Sequence, residues 1–221
     1  MILSARGTIL LAEVSHIMDE KDRVLVDDDA EFVSRCQKGD IDAFEVLVKR
    51  HQKKMLNIVY RITGDYDDAC EVVQEAFLSA YRAIKKFKGN SKFSTWLTGI
   101  TINHAKNRMR QTQARSYHEI VSIDDPVDTE SGQLTHDPPA QEASAIEQLE
   151  QKEVQQKVQE CIGGLDKDQR DVLVLRDIEE FSYDEIGLIL KIPGGTVKSR
   201  LSRARDALKD CLKMKKVIGD L

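Results

Sequence analysis

The sequence predicts an all-α protein. Aromatic residues make up 5% of its 221 residues and charged residues 32%, and glycines and prolines are few, which favours helices over a β-sandwich or a barrel. A hydrophobic content of 41% is enough for a real core. Apolar residues recur at helical spacing in two long blocks, and the segment between them lacks that spacing. We therefore expect two small helical domains joined by an extended connector.

The first block runs from Asp29 to Arg110 and predicts four helices. The first helix ends at the break "KGD", where Asp40 is a candidate N-cap for the second. The third begins near Asp65, where "GDYDDA" places acids at a helix N-terminus, and ends near "KKFKGNS". The fourth is "FSTWLTGITINHAKNRMR", which begins at Phe93 and holds the chain's only tryptophan.

The connector spans Gln111 to about Ala145 and has a different composition. It holds three of the four prolines, and Arg115 is its only Lys or Arg among seven acids. Because it shows no sustained periodicity, we predict an acidic linker.

The second block begins near Ile146 with a helix that stops at Gly163 and Gly164. Asp166 and Gln169 then have the spacing of a capping box, which predicts the start of another helix.

The last part of this block, "SYDEIGLILKIPGGTVKSRLSRARDALKDCL", has the pattern of a helix-turn-helix motif. Ser182 and Glu185 have capping-box spacing at the start of a short apolar helix, in which the small Gly187 would allow another helix to approach closely. The break "KIPGG" ends that helix. An apolar stripe then marks a second helix at Val197, Leu201, Ala204 and Leu208. This arrangement sets the second helix into a DNA major groove.

Charge is segregated along the chain although the formal net charge is only -5. From Lys191 to Lys216 there are nine Lys or Arg residues against Asp206 and Asp210. On an ordinary amphipathic helix such cations are solvated charges. In a motif that already predicts a helix-turn-helix, they favour contact with DNA phosphates and base edges.

Two stretches together resemble the extracytoplasmic-function (ECF) sigma factors of bacterial RNA polymerase. "DDACEVVQEAFLSAYRAIKKFKGNSKFSTWLTGITINHAKNRMR" looks like sigma region 2, and "LRDIEEFSYDEIGLILKIPGGTVKSRLSRARDAL" looks like sigma region 4. The resemblance covers nearly everything from about Asp29 onward except the linker. It implies a dissociable transcription initiation subunit that recognises two promoter elements, helps to melt the downstream one and performs no covalent chemistry itself.

The family's architecture implies the following domains. They are a flexible N-terminal extension (1–28), a region 2 domain (29–111), an acidic linker (112–145), a region 4 domain (146–216) and a C-terminal tail (217–221). The implied partners are core RNA polymerase, through its β′ clamp helices and β flap, promoter DNA, and an anti-sigma factor. No cofactor is implied.

In region 2 the resemblance assigns one face to the melted minus-ten element. Phe87 and its loop neighbours would form a pocket for a flipped base, and Asn103 would help to read that base. Trp96 is expected to pack in the core with one edge at the DNA. The assigned residues are Phe87, Lys88, Asn90, Ser91, Lys92, Phe93, Trp96, Asn103, Lys106, Asn107 and Arg110.

Two further sets complete the implied contacts. Polymerase binding is assigned to one helix, through Asp68, Val72, Val73, Gln74, Glu75 and Leu78. The minus-thirty-five element is assigned to Arg176, Thr196, Lys198, Ser199, Ser202 and Arg203. Ser202 stands where some relatives carry an aromatic residue, so the base preference of this chain can differ from theirs.

The remaining residues give weaker signals. Cys36, Cys70, Cys161 and Cys211 are widely scattered, with no metal-ligand spacing, so we expect small apolar residues in a reducing cytosol and no redox sensor. His104 is expected to be a polar surface residue. The N-terminal apolar run is too short for a signal peptide, Met18 is an alternative start, and no segment approaches the roughly 20 apolar residues of a membrane span. A cytoplasmic location without membrane insertion is therefore expected.

Two other functions fit parts of the sequence. A stand-alone helix-turn-helix regulator would use only the terminal motif, but it would need a sensor or dimerisation domain. A metal-dependent hydrolase would need a site at Asp124, Asp125, His136 and Asp137, in a segment without the periodicity that would preorganise it.

Overall fold

The structure, a computed structural model, describes residues 28–122 and 145–217. Every regular element in these two ranges is helical, which confirms the all-α prediction. The predictions for the N-terminal extension, for most of the acidic linker and for the end of the C-terminal tail lie outside the described residues. The alternative hydrolase site at Asp124, Asp125, His136 and Asp137 lies outside them as well.

The first group of helices contains the four that the sequence predicts. They are α1 (Ala30–Gln37), α2 (Ile41–Thr63), α3 (Tyr66–Ala83) and α4 (Phe93–Ser122), with a 3₁₀ turn (Ile84–Lys86) after α3. The side chains of Asp40 and Asp65 accept hydrogen bonds from the backbone N–H groups of Ala43 and Asp68. The predicted N-cap at Asp40 is therefore confirmed, and Asp65 is the N-cap of the helix that was predicted to begin near it.

Helix α4 is longer than predicted, because it continues past Arg110 to Ser122. Residues 111–122, which the sequence assigned to the linker, are helical. Near its start, the hydroxyl groups of Thr98 and Thr101 donate to the carbonyl oxygens four residues earlier, at 2.8 and 3.0 Å. These bonds satisfy two hydroxyls that are fully buried in the core.

The second group contains α5 (Ala145–Gly163), α6 (Lys167–Leu173), α7 (Tyr183–Leu190) and α8 (Gly194–Met214), with a π-helical turn (Val174–Ile178) after α6. Ser182 and Glu185 form the predicted capping box, with both reciprocal hydrogen bonds present. Asp166 precedes α6 as expected, but its side chain accepts from the Gln169 side chain at 3.2 Å and caps no backbone N–H. The second predicted capping box is therefore not formed.

Helices α7 and α8 form the predicted helix-turn-helix. The turn is tight: a Cβ atom on Gly187 would lie 3.1 Å from the carbonyl oxygen of Ile192. Lys191 ends α7 in the left-handed region, with φ of 56°. Gly187 therefore allows a close approach, but of the backbone of the turn and not of another helix as predicted.

The prediction that all four cysteines are separate apolar residues is wrong. Cys161 of α5 and Cys211 of α8 form a disulfide, while Cys36 is a buried free thiol and Cys70 an exposed one. The bonded pair lies 50 residues apart in sequence, so no spacing rule points to it. The bond ties the C-terminal half of α8 to the helix that opens the second group.

The two groups pack against each other around Arg170, whose guanidinium is buried. Its Nη1 donates to the carbonyl oxygen of Ile62 in α2 at 2.6 Å, and its Nη2 donates to those of Leu165 and Gly163. Arg170 thus places a positive charge on the last turn of α2, where the helix dipole is negative. Lys54 of α2 also lies over the ring of Phe181, at 4.3 Å from its centroid.

Among the described residues, none of the helices combines the length and the apolar character that crossing a membrane requires.

Candidate nucleic-acid interface

Three aromatic rings lie together where the 3₁₀ turn leads into α4. The ring centroids of Phe87 and Trp96 are 4.9 Å apart, those of Phe93 and Trp96 5.7 Å, and those of Phe87 and Phe93 6.1 Å. Phe93 is fully buried, whereas Phe87 and Trp96 are half-buried. Trp96 therefore packs on the core and keeps one part accessible, and Phe93 supports the other two rings without facing solvent.

We name the segment from Phe87 to Lys92 the strand loop, because the sequence assigns it to the melted DNA strand. It lies between two clefts. A cleft of about 360 Å³ separates it from α1 and is lined by Ser34, Gln37 and Lys88 among others. A smaller cleft of about 230 Å³ lies on the side of Asn90 and Trp96. The loop turns at Gly89, whose φ of 71° is in the left-handed region that favours glycine.

The other residues assigned to the minus-ten element differ in their access to solvent. Five of them are exposed: Lys88, Asn90, Asn103, Asn107 and Arg110. Ser91, Lys92 and Lys106 are half-buried. The two lysines of this half-buried set each face a carboxylate from the second group of helices.

Glu185 of α7 contacts the strand loop and the first turn of α4. Its carboxylate lies 3.5 Å from Lys92 Nζ and accepts from the Thr95 hydroxyl at 3.3 Å. Burial alone would raise the pKa of Glu185, but hydrogen bonds from Ser182 and the charge of Lys92 lower it below its ordinary value. The first helix of the helix-turn-helix thus holds one of the cations assigned to the minus-ten strand.

Asp171 of α6 holds the second cation. Its side chain is only 3% exposed, and its Oδ2 lies 2.8 Å from Lys106 Nζ. Burial raises the pKa of Asp171, and the positive charge of Lys106 opposes that rise without cancelling it. No sequence signal identifies this pair, because its members are 65 residues apart and lie in different helix groups.

We expect Asp171→Asn to change how stability depends on pH. Because the folded-state pKa of Asp171 is raised, the folded chain binds this proton more tightly than the unfolded chain. The stability that Asp171 contributes is therefore complete below its unfolded pKa and is lost as the pH rises through the folded pKa. Urea unfolding should show the free energy of unfolding of the wild type falling, relative to that of the variant, from about pH 4 towards neutrality.

Lys106→Met is the companion variant in this experiment. It removes the positive charge that opposes the rise in the pKa of Asp171. The fall in the free energy of unfolding with pH should therefore become steeper. Parallel pH profiles for the wild type and Asp171→Asn would contradict the burial of this carboxylate.

The helix assigned to polymerase binding, α3, exposes only part of the predicted set. Gln74 is exposed, Glu75 is 66% exposed at its side chain, and Leu78 is 50% exposed. Val72 and Val73 are 2% and 8% exposed and lie in the core. This corrects the expectation for the two valines, because a helix that packs on both α2 and α4 needs a wider apolar face than one narrow stripe.

Asp68, also assigned to this set, is held within the first group. Its carboxylate accepts from Arg108 Nε of α4 at 2.7 Å, and Glu71 lies 2.8 Å from the same guanidinium. His104 is not simply a polar surface residue: it is half-buried and its Nε2 lies 2.9 Å from the Ser79 hydroxyl. Both contacts join α3 to α4.

The cations of α8 fall into two classes. Arg200 pairs with Asp168 at 2.6 Å, and Arg205 makes two hydrogen bonds to Asp177, at 2.9 and 2.6 Å. Lys198 and Arg203 are exposed and have no acidic partner among the residues that the structure describes. Lys198 and Arg203 are the two cations of α8 that the sequence assigned to the minus-thirty-five element.

The other residues of that set surround the start of α8. Ser199 and Ser202 are exposed, and Thr196 is half-buried in the first turn. Arg176, from the π-helical turn, donates to the carbonyl oxygen of Phe181 at 2.9 Å, and its guanidinium lies 5.0 Å from the ring centroid of Tyr183. Arg176 therefore links the π-helical turn to the start of α7, and its side chain is half-buried.

Comparisons with known proteins agree with this arrangement. Residues 47–115 match the family Sigma-70 region 2, and residues 155–208 match Sigma-70, region 4. The chain is 37% identical to the RNA polymerase sigma-H factor of Pseudomonas aeruginosa over 184 residues, which cover 83% of this chain and 93% of that relative. It is 40% identical to the ECF RNA polymerase sigma-E factor of Escherichia coli K12 over 183 residues, which cover 81% and 92%. The chain belongs to the ECF RNA polymerase sigma factors.

Two solved structures share the fold. CnrH in complex with the cytosolic domain of CnrY gives a TM-score of 0.62 at 23% identity, covering 85% of this chain and 99% of CnrH. The sigma factor RpoE in complex with the anti-sigma factor NepR from Bartonella quintana gives 0.58 at 22% identity, covering 77% and 96%.

Membership in this family decides between the functions that the sequence left open. Sigma factors are transcription initiation subunits and not enzymes, and both regions that the sequence predicted, 2 and 4, are matched here. A stand-alone helix-turn-helix regulator would explain only residues 155–208 and is therefore set aside.

Proposed function

We propose that the chain uses its two helix groups as separate promoter-binding domains of one initiation complex. Helices α1 to α4 bind core RNA polymerase and the melted minus-ten strand, and α5 to α8 bind the minus-thirty-five duplex. The observation that supports this division most directly is the pair Lys198 and Arg203, the cations of the first half of α8 that no described acid neutralises. An unpaired cation on a recognition helix is available to phosphates and base edges.

For the melted strand, the chain offers rings, amides and cations along one path. Phe87 and Trp96 provide accessible aromatic surface, Asn103 and Asn107 provide exposed amides, and Arg110 provides charge for the backbone. A single strand whose bases have unstacked needs these three kinds of contact. We propose that Asn103 reads a base, because its exposed amide can donate and accept at one base edge.

The packing of the two groups has a direct consequence for this proposal. Lys92 and Lys106 are paired with Glu185 and Asp171, so DNA phosphates must compete with these carboxylates. Binding of the minus-ten strand through both lysines therefore requires α6 and α7 to move away from α4.

On α3, the exposed residues Gln74, Glu75 and Leu78 are the proposed contact with the β′ clamp helices, and the second group is proposed to contact the β flap. Tyr81, 40% exposed, extends the same surface by one turn. We also propose an anti-sigma factor as a partner, since two of the solved structures that share this fold contain partner proteins, one of them an anti-sigma factor. We further propose that the chain works beside polymerase and chromosome, in the cytoplasm.

Reconstitution with bacterial core RNA polymerase tests the proposal. The template is a duplex library with two randomised segments, and permanganate oxidation of unpaired thymines reports strand opening. We expect the chain to bind core polymerase, to select a subset of the library and to open it near the downstream segment. Failure to bind core polymerase, or binding without any opening, would contradict the proposal.

Single substitutions in the same assay test the division of labour. Asn103→Ala should reduce opening while the upstream footprint persists, and Lys198→Ala should weaken the upstream footprint first. Each lost base contact is worth about 1 to 3 kcal/mol. Equal losses at both elements from either variant would contradict separate binding domains.

A further inference from the structure

The side chain of Gln37 crosses from α1 to the chain that enters the strand loop. Its Nε2 donates to the carbonyl oxygen of Ile84 at 3.1 Å and to that of Phe87 at 2.8 Å. Ile84 opens the 3₁₀ turn after α3, and Phe87 is the first residue of the loop. One amide group therefore fixes two carbonyls at the two ends of a single turn.

These bonds decide where the strand loop begins and in which direction it leaves. The ring of Phe87 is held by Phe93 and Trp96, while its carbonyl is held from the opposite side by Gln37. Lys88, the next residue, is exposed, and the loop then turns at Gly89. The position of Phe87 thus depends on ring packing and on a hydrogen bond from a separate helix.

Gln37 also borders the larger of the two clefts. The cleft of about 360 Å³ lies between α1, through Ala30, Ser34 and Gln37, and the strand loop, through Phe87 and Lys88. Moving the start of the loop by a fraction of an ångström changes the width of this cleft and of the smaller cleft behind it together. Binding sites lose selectivity when the groups that hold them are displaced by about 0.5 Å or more.

We propose that Gln37 is a positioning residue for promoter melting. By holding the Phe87 carbonyl, Gln37 fixes the width of the larger cleft, between α1 and the strand loop, which takes an unpaired base of the minus-ten strand. It thereby sets how strongly one base is preferred over the others. The proposal rests on the proposed function, because the loop has a strand to select only if the chain binds melted DNA. It assigns a role in DNA selection to α1, a helix that bears none of the predicted contacts.

Two variants remove the donated bonds in different ways. Gln37→Glu keeps the size of the side chain but replaces the donor by a carboxylate, which faces two carbonyl oxygens. Because Gln37 is the last residue of α1, that charge also opposes the helix dipole. Gln37→Leu removes the donor without adding charge. Ser34→Ala is the matched control, since Ser34 lines the same cleft and makes no hydrogen bond to the loop among the described contacts.

The measurement uses holoenzyme assembled from each variant and bacterial core RNA polymerase. The probes are fluorescent single-stranded oligonucleotides that carry the downstream segment selected by the wild type, with each position changed in turn to the other three bases. Anisotropy gives the affinity for the selected strand and the ratio of affinities between bases. Thermal unfolding of the free chain and binding of the upstream duplex serve as internal controls.

We expect both Gln37 variants to bind the selected strand about 10-fold more weakly, since two hydrogen bonds are lost, and to show a smaller preference at one position. Ser34→Ala should keep that preference, and upstream duplex binding should be unchanged in all variants. If Gln37→Leu keeps the full preference, or if only its unfolding temperature changes, Gln37 has a merely structural role. If the wild-type holoenzyme binds no single strand selectively, the proposed function itself fails.

Discussion

Replacing Lys198 and Arg203 together by Ala is expected to remove most of the affinity for the upstream promoter element. Each residue is an exposed cation without an acidic partner in the described part of the chain, so no carboxylate competes with DNA for it. Lys198 does contact the ring of Tyr183, with its Nζ 5.8 Å from the ring centroid. At about 1 to 3 kcal/mol per contact, each change should weaken binding about 5- to 150-fold. Affinity of the holoenzyme for the selected upstream duplex, measured at several salt concentrations, checks the result.

The same helix supplies a matched control, Arg200→Ala with Arg205→Ala. This pair removes the same charge from α8, but both guanidinium groups are neutralised by Asp168 and Asp177. It should cost much less DNA affinity and change the salt dependence less, because fewer counterions are released through paired cations. Equal losses for the two double variants would mean that α8 binds DNA by its total charge and not through chosen residues.

Breaking the bond between Cys161 and Cys211 is expected to give the largest loss of stability. The bond closes a loop with a sequence separation of 50, which corresponds to about 4 kcal/mol in the chain-entropy account of disulfides. Chemical unfolding with and without reductant should show this loss in α5 to α8. In the double variant Cys161→Ser with Cys211→Ser, the stability should be low and indifferent to reductant.

The two free cysteines supply the control for that experiment. Cys70→Ser should keep its sensitivity to reductant, because Cys70 is an exposed free thiol. Titration of the denatured, unreduced chain should find two reactive thiols, those of Cys36 and Cys70. Four reactive thiols would contradict the pairing.

Local signals in the sequence predicted the helices well. Asp40 and the pair Ser182 and Glu185 cap helices as expected, because a cap depends on residues within one turn of each other. The helix-turn-helix followed from an apolar stripe and the Pro-Gly-Gly break at 193–195 in the same way. The end of α4 was missed because residues 111–122 are too polar to show a periodic apolar face.

Contacts between distant parts of the chain were the ones that the sequence did not show. The disulfide, the pair Lys106 and Asp171, and the hydrogen bonds of Gln37 all join residues 47 or more positions apart. Their residue types are ordinary for helices, so only the packing of helices distinguishes them from solvated positions. For the same reason, the sequence assigned the lysines at 92 and 106 to DNA without showing the carboxylates that hold them.

The places where α4 ends and α5 begins set a limit on how far these two helix ends can separate. The chain between Ser122 and Ala145 contains 22 residues, which can span at most about 75 Å when fully extended. Duplex DNA rises about 3.4 Å per base pair, so this tether reaches about two helical turns. Ser122 and Ala145 can therefore lie as far apart as about 20 base pairs of duplex while every described helix stays folded, which gives the two proposed DNA-binding faces room to separate.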